Sequence, residues 1–267
     1  MTDRSAAEFV RLAVITPAYQ EESGIEQTCK AILSEMASVD EFNSLVVVDD
    51  GSTDSTATRV EAIADAEPRV HLVRRELNGG YGAALRSGAD CAYELGATHA
   101  VFIDSDLTNP PAEIKLFLGR FSAGARYVKA SRFIPGGGME GVPAWRAALS
   151  RIASWVAQAL FGTSMRDVTN GFRGVELSLY RDWDLHEEGF AVIMEEMGIV
   201  VTTGVEAAEF PSRLGARRPE LRATSFTVGP GLILDYIKFP LHVFRKRVFG
   251  SFRRLSDLSV PLRKGKQ

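Results

Sequence analysis

The sequence predicts an α/β fold in which helices flank a Rossmann-like, mostly parallel sheet. Short apolar runs alternate with segments of helical periodicity, a pattern typical of strand–helix–strand units. Polar motifs follow the apolar runs directly, where the carboxyl ends of parallel strands form ligand sites. The chain has 267 residues, of which 45% are hydrophobic and 24% charged. This ordinary globular composition excludes disordered, collagen-like and coiled-coil proteins.

The first half of the chain contains five predicted strands with helices between them. The strands are 12–16, 45–48, 70–73, 100–103 and 127–130. Apolar spacing predicts helices at 22–36 and 79–95, and Ser52 or Asp54 can cap another helix between them. A proline pair, Pro110-Pro111, marks the start of a fourth helix, since proline is tolerated in the first helical turn.

The second half departs from this alternation. Residues 145–161 read as a helix, and 167–173 form a polar, turn-rich segment. A short element at 187–198 and a strand at 200–210 follow. We predict two parts, a catalytic domain over residues 1–225 and a basic amphipathic helical tail over 226–267.

The net charge of −3 conceals an asymmetry along the chain. From Lys238 onward there are nine Lys and Arg residues and one acid, Asp257, so this part carries +8 and residues 1–237 carry −11. The body and the tail therefore meet different partners. Tail positions Ile233, Tyr236, Ile237, Leu241, Phe244 and Val248 share one helical face. Such a helix is a candidate anchor on an anionic membrane surface, or it packs on the catalytic domain or an oligomer interface.

The number of cysteines and the composition of the N-terminus indicate the cellular compartment. Two cysteines, Cys29 and Cys91, cannot form a disulfide framework, and the N-terminus lacks the apolar core of a signal peptide. No apolar run reaches the roughly 18 residues that a membrane helix needs. We expect a cytoplasmic protein, peripheral on the cytosolic membrane face if the tail binds lipid.

The triplet Asp104-Ser105-Asp106 follows a predicted buried strand. Two carboxylates at one strand end can reach the same cation, and Mg²⁺ or Mn²⁺ prefers such oxygen ligands. The alternative is an ordinary strand-end turn, where aspartate is common. Similarly, Asp50 in the sequence Asp49-Asp50-Gly51-Ser52 can accept hydrogen bonds from a nucleobase or ribose, or the segment simply caps the following helix.

Taken together, the motifs are more specific than any one of them. Pro17-x-Tyr19-x-Glu21, the segment 48–54, Asn78-Gly79-Gly80-Tyr81-Gly82 and Asp104-Ser105-Asp106 occur in order at strand ends. With the later segments 130–133, 167–173 and 189–195, this series resembles the family 2 glycosyltransferases of the GT-A fold. Within that family it is most similar to the dolichol-phosphate and polyprenyl-phosphate mannosyl- or glucosyltransferases.

The resemblance implies roles for individual residues. It places the nucleotide-sugar donor on Pro17, Tyr19, Glu21, Val48, Asp50 and Ser105, the divalent cation on Asp104 and Asp106, and phosphates on Arg213 with Arg217 or Arg218. Arg132 would lie near the sugar or the acceptor phosphate, and Glu195 would contact the sugar or help to order the site. The chain departs from the family pattern at Thr108-Asn109, where a glutamine ligand is common, and in a shortened loop around Arg213.

The resulting expectation is an inverting, metal-dependent transfer of a hexose from a nucleotide-sugar to a polyprenyl phosphate. A phosphate acceptor is already anionic and needs cationic recognition; the candidates are Arg132, Arg146, Arg173 and Arg213. A hydroxyl acceptor would instead need a base, and Glu195 or Glu196 are the candidates. A noncatalytic nucleotide-sugar-binding module is the alternative from another class. Nucleic acid is not an expected partner, and a homo-oligomer is left open.

Overall fold

The computed structural model describes residues 9–216 and 230–249. Its strands are β1 (Leu12–Ala18), β2 (Phe42–Asp49), β3 (Val70–Arg74), β4 (His99–Phe102), β5 (Tyr127–Ser131), β6 (Gly138–Met139), β7 (Arg173–Glu176), β8 (Ala207–Pro211) and β9 (Arg213–Leu214). Its helices are α1 (Ile25–Met36), α2 (Thr56–Ala66), α3 (Tyr81–Glu94), α4 (Ile114–Ser122), α5 (Ala144–Phe161), α6 (Leu177–Arg181), α7 (Val192–Thr203) and α8 (Pro230–Phe249). A 3₁₀ turn, Pro111–Glu113, precedes α4 at the predicted proline pair.

Seven strands form one sheet in the order β3-β2-β1-β4-β7-β5-β8. All neighbours are parallel except around β7, which runs antiparallel to both β4 and β5. The strands β6 and β9 pair separately as a small parallel ribbon. The predicted mostly parallel α/β sheet is confirmed, and the five strands predicted in the first half are all present.

Helices cover both faces of the sheet because its central strands are apolar on both sides. Along β1, Ala13 and Ile15 face a cluster that includes side chains of α3, α5, α6, α7 and α8. Leu12 and Val14, one position away, face a second cluster built with α1, α2 and α4. Successive side chains of a strand point to opposite faces of the sheet. A strand that is covered by helices on both faces is therefore apolar at every position, which gives a continuous apolar run in the sequence.

The predicted strand at 200–210 is wrong in its first part. Val200 to Thr203 form the end of α7, which Gly204 terminates at φ +70° by donating its N–H to the Val200 carbonyl. The strand β8 begins only at Ala207. The β-branched residues here favour a strand by propensity, but α7 is almost wholly buried, and burial of an apolar helix overrides that preference.

The helix α8 forms part of the basic tail that was predicted over residues 226–267. It packs against α5 and α7, and Phe239 and Val243 (0% and 4% exposed) belong to the core. By contrast, Ile233, Leu241 and Val248 are 51%, 41% and 52% exposed. The packed side of α8 therefore includes Tyr236 of the predicted apolar face but not Ile233, Leu241 or Val248. None of the helices within residues 9–216 and 230–249 is long and apolar enough to cross a bilayer.

Candidate active site

A cleft of about 660 Å³ opens at the carboxyl ends of β1, β2 and β4. Its walls come from both halves of the chain, including the loop before α5 and the residue Tyr236 of α8. The predicted site residues that line it are Pro17, Tyr19, Glu21, Asp50, Asp104, Ser105, Asp106 and Arg132. The expectation that these strand-end motifs form one composite site therefore agrees with the geometry.

The turn that carries the two aspartates is fixed by hydrogen bonds. The Thr108 N–H and hydroxyl both donate to Asp106 Oδ1, at 3.0 and 2.8 Å. The Ser105 carbonyl accepts from the buried Thr28 hydroxyl at 2.5 Å. Between them, Leu107 adopts φ +56°, a left-handed conformation that non-glycine residues rarely take. The sharp reversal after β4 is what directs Asp104 and Asp106 into the same cleft.

The donor groups at this turn fit a hard divalent cation. Asp104 and Asp106 supply carboxylates, and the Asn109 side chain, which is 2% exposed, lines the cleft with its Oδ1 lacking a hydrogen-bond partner. Mg²⁺ characteristically takes one or two carboxylates and completes its coordination with substrate phosphates. Among the described residues no group of three or more His, Cys, Asp or Glu side chains forms a closed metal cage.

Asp50 lines the cleft, but its oxygens are committed to the protein. They accept hydrogen bonds from the Arg75 guanidinium at 2.6 Å and from the N–H groups of Gly79 and Gly80 at 3.1 and 2.8 Å. Gly80 has φ +90°, so the turn requires glycine there. Asp50 therefore shapes the turn that begins α3, and because it also lines the cleft, its predicted contact with the nucleoside stays a prediction.

Val48 does not line the cleft. Its side chain is fully buried in the core, and a Cβ at Gly88 of α3 would come within 2.9 Å of its Cγ2. The Val48 side chain is thus not available to a nucleoside in the cleft, and the predicted role of Val48 in nucleoside binding stays a prediction. Val48 is instead a packing position that sets the distance between β2 and α3, because only a glycine at 88 leaves room for it.

Glu195 is also buried away from the cleft. Its carboxylate accepts hydrogen bonds from the N–H groups of His186 (3.1 Å) and Glu187 (2.9 Å). Burial raises the pKa of Glu195 above its ordinary value, although those two N–H groups oppose the shift. The Glu188 carbonyl in the same loop accepts from the Gly82 N–H at 2.7 Å. Of its two predicted roles, Glu195 is therefore not placed to contact the sugar in the cleft; it orders the loop on which the start of α3 rests.

A fully buried ion pair lies behind the turn that carries Asp104 and Asp106. Arg173, predicted as a phosphate ligand, makes two hydrogen bonds of 2.5 Å to Glu196, and both side chains are 0% exposed. Its Nη1 donates to the Gly171 carbonyl at 2.8 Å and lies 3.5 Å from the Tyr81 hydroxyl. Burial raises the pKa of Tyr81 well above its ordinary value, and the neighbouring Asp104 adds to the shift. Arg173, held by Glu196, therefore supports Tyr81 from within the core. The sequence analysis named both residues for other roles, because neither burial nor pairing is visible in a motif.

Arg132 is the predicted arginine that is best positioned in the cleft. Asp167 accepts from its Nε and Nη2 at 2.6 and 2.8 Å, and Thr169 Oγ1 accepts from Nη2 at 2.9 Å. Burial alone would raise the pKa of Asp167, but the Arg132 guanidinium lowers it below the ordinary value. Arg146 of α5 also lines the cleft, with its guanidinium 5.2 Å from the centre of the Trp145 ring.

Arg213 lies on the small ribbon rather than among the residues that line the cleft. Its Nε donates to the Gly136 carbonyl at 3.3 Å, and its Nη1 is 3.6 Å from Glu140. The neighbouring Leu214 and Gly215 do line the cleft, and the Gly215 N–H donates to the Thr108 carbonyl at 2.7 Å. Arg217, the other predicted phosphate ligand of this loop, lies outside the described residues.

Sequence comparison identifies relatives over most of the chain. A family model described as glycosyl transferase family 2 matches residues 13–182. The polyprenol monophosphomannose synthase of Mycolicibacterium smegmatis is 29% identical over 205 residues, covering 75% of this chain and 76% of that protein. The dolichol-phosphate mannosyltransferase of Saccharomyces cerevisiae is 27% identical over 221 residues, with 78% and 79% covered.

Structure comparison gives the same fold. Glucosyl-3-phosphoglycerate synthase from Mycobacterium tuberculosis, in complex with Mn²⁺, UDP and phosphoglyceric acid, matches with a TM-score of 0.64 at 22% identity, covering 88% of this chain and 78% of that one. The same enzyme with Mg²⁺ and UDP gives 0.62. The fold is thus the GT-A fold. Because the family model spans more than half of the chain and its motif residues converge on one cleft, the chain belongs to glycosyl transferase family 2 and is a glycosyltransferase.

Proposed function

We propose that this glycosyltransferase moves a hexose, mannose by analogy with its relatives, from a nucleotide-sugar to a polyprenyl phosphate. The observation that carries the proposal is the charge distribution in the cleft. The aspartate pair at the end of β4 shares the cleft with two arginines, Arg132 and Arg146, from later segments. The aspartates suit a cation with a diphosphate, and the arginines suit a second substrate that carries a phosphate.

On the donor side, Asp104 and Asp106 would hold Mg²⁺ or Mn²⁺. Such a cation, when bound, neutralises charge on the leaving diphosphate. Pro17, Tyr19 and Glu21 line the part of the cleft at the end of β1 and would hold the nucleoside. The structural neighbours with Mn²⁺ or Mg²⁺ and UDP support this arrangement for the fold.

On the acceptor side, each acidic residue that lines the described part of the cleft already has another role. Its acidic lining residues within the described chain are Glu21, Asp50, Asp104 and Asp106, and Asp50 is already committed to the turn at Gly80. Glu195 and Glu196, the bases predicted for a hydroxyl acceptor, are buried and engaged elsewhere. A phosphate oxygen is an anion near neutral pH and needs no deprotonation, which favours a polyprenyl phosphate over a hydroxyl acceptor.

A polyprenyl acceptor resides in a membrane, so we propose that the protein works peripherally at the cytosolic membrane face. Basic residues of α8 and of the following segment would add electrostatic attraction to anionic lipid, at roughly 1 kcal/mol per residue near the surface. Lys238 is the exception, because it is 2.5 Å from Glu187 in an ion pair with the catalytic domain.

The proposal is tested by a transfer assay with radiolabelled nucleoside-diphosphate mannose and glucose. The acceptors are a short-chain polyprenyl phosphate, the matching polyprenol and 3-phosphoglycerate, each assayed with Mn²⁺, with Mg²⁺ and with excess chelator. We expect product with the polyprenyl phosphate alone, and loss of product on chelation. Equal transfer to the polyprenol or to 3-phosphoglycerate would reject the phosphate acceptor, and full activity under chelation would reject the metal.

A further inference from the structure

The helix α5 is apolar on two opposite sides. On one side Ser154, Ala157 and Phe161 are buried against the domain. On the other side four large apolar residues are exposed at helical spacing: Trp145 (65%), Leu149 (41%), Ile152 (58%) and Trp155 (65%). A helix packed on a domain normally presents polar residues to solvent, so the composition of this outer face needs a partner to explain it.

The helix α8 extends the same feature. It packs beside α5, and Arg247 donates to the Phe161 carbonyl at the end of α5 at 3.3 Å. Its exposed apolar residues Leu234 (66%), Leu241 (41%) and Val248 (52%) recur every seven positions and so lie on one side. Single exposed apolar residues are common on protein surfaces, but two neighbouring helices with such stripes mark an interaction surface.

The charges around the stripe select the partner. Arg146 and Arg151 flank the outer face of α5 in the sequence, and Arg245 and Lys246 are exposed on α8. Tryptophan with arginine or lysine beside it is the combination that suits the headgroup region of a bilayer, where rings bury apolar atoms and cations meet anionic lipid. The exposed apolar residues would suit a protein partner as well as a bilayer. The cations, by contrast, specifically favour an anionic bilayer.

The exposed apolar residues of α5 and α8 lie close to the cleft, which indicates what the surface does. Val142, Pro143 and Arg146, at the start of α5, line the cleft, and so does Tyr236 in the first half of α8. The end of the helix pair that carries Trp145 is therefore next to the cleft mouth. A surface that docked there would deliver a membrane-embedded phosphate beside Arg146 and Arg132.

We infer that the exposed face of α5, extended by α8, is a docking surface for an anionic lipid bilayer, with Trp145 and Trp155 entering the headgroup region. The purpose of this surface rests on the proposed polyprenyl phosphate acceptor. Its existence rests only on the exposed side chains and their flanking cations. It assigns membrane insertion to α5, which belongs to the folded domain, and leaves the residues from 250 onward an electrostatic role.

The first test uses the three tryptophans of the chain as reporters. Trp183 packs beside Tyr127 and Tyr180, with ring centres 6.0 and 5.7 Å apart, and serves as the internal control. In the full-length Trp183→Phe protein, the tryptophan fluorescence comes from α5 alone. In the Trp145→Phe/Trp155→Phe protein, it comes from Trp183 alone. With vesicles of phosphatidylcholine and phosphatidylglycerol carrying brominated acyl chains, we expect strong quenching in the first protein and none in the second. Equal quenching in both, or none in the first while it sediments with the vesicles, would overturn the proposal.

The second test measures binding to the same vesicles, without bromine, by co-sedimentation. Ile152→Ser/Trp155→Ser should weaken binding by about tenfold or more, because two apolar side chains no longer leave water. Leu116→Ser is the matched control, since Leu116 is 46% exposed on α4, on the opposite side of the sheet. Unchanged binding of the double variant would contradict the inference. So would a dimer without vesicles that the double variant abolishes, because α5 would then face a second copy.

A third measurement separates this inference from the proposed function. The double variant should transfer sugar normally to a short-chain acceptor in solution and poorly to a long-chain acceptor embedded in vesicles. Absence of transfer by the wild-type protein to either acceptor would defeat the proposed function, while the quenching and sedimentation results would still decide the docking surface. Equal loss with both acceptors would mean that the substitutions damage the cleft, and the docking role would be rejected.

Discussion

At the scale of single residues, the two aspartates of the cleft have different surroundings. Asp106 is oriented by Thr108, whereas Asp104 lies beside the buried Tyr81. The side chain of Asp106 is thus fixed by its neighbours before any substrate binds. Preorganisation of this kind lets a carboxylate hold charge without reorganising during the reaction.

We expect Asp104→Asn to lower the transfer rate by about 10²-fold or more, because one anionic ligand of the proposed cation is lost. Thermal unfolding should change little, because Asp104 lies at the cleft surface. Mn²⁺ binding in the presence of the nucleoside diphosphate, followed by calorimetry, should weaken in parallel. Thr108→Val keeps both carboxylates and should have a smaller effect. Unchanged Mn²⁺ affinity in Asp104→Asn would exclude Asp104 as a ligand.

At the scale of secondary-structure elements, the inserted strand β7 brings a charge into the core. Its first residue, Arg173, pairs in register with Phe102 of β4, two positions before Asp104. Glu196, from α7 in the layer above, neutralises it. The pair therefore joins a strand and a helix directly behind the turn that carries Asp104 and Asp106.

We expect Glu196→Gln to lower the free energy of unfolding by roughly 3–5 kcal/mol, because it leaves the Arg173 charge buried without its counterion. Denaturant titration measures this loss, and the double variant Arg173→Met/Glu196→Leu should recover most of it. If the pair also positions Tyr81 and Asp104, the recovered double variant should still show a reduced kcat with an unchanged KM for the donor. A double variant with wild-type kcat would limit the pair to stability.

At the scale of the whole molecule, α8 is integral to the domain that carries the cleft. Phe239 and Val243 are in the core, Tyr236 lines the cleft, and Lys238 pairs with Glu187. The predicted boundary at residue 225 thus separates α8 in sequence from helices that it contacts in space.

Truncation after residue 229 should therefore lower the free energy of unfolding by several kcal/mol, since burying a phenylalanine or valine side chain contributes about 1.5–3 kcal/mol. Truncation after residue 249 retains α8 and should leave thermal unfolding nearly unchanged. Comparing the two by thermal denaturation distinguishes an integral helix from an attached one. Equal melting temperatures would show that the domain folds without α8.

Sequence patterns predicted the fold because the strands are doubly covered and each ends in a polar motif. They also identified the aspartates and Arg132, whose residue types are needed at strand ends. They failed at β7, which is four residues long and contains a buried arginine, so neither length nor polarity suggests a strand. The motifs did not show that the side chains of Glu195 and Val48 are buried, because a motif shows which residues recur and not which way a side chain points. Only packing against α3 and the 186–188 loop determines that.

The contact between Gly82 and the 187–188 loop restricts which substitutions the chain tolerates. A Cβ at position 82 would lie 2.2 Å from the Glu187 carbonyl oxygen, so no other residue fits without moving the loop. That loop is also held by Glu195 and, through Glu187, by Lys238. The 187–188 loop thus links position 82, position 195 and α8 sterically. A larger side chain at position 82 would require the loop to move, and its contacts with Glu195 and α8 would have to change with it.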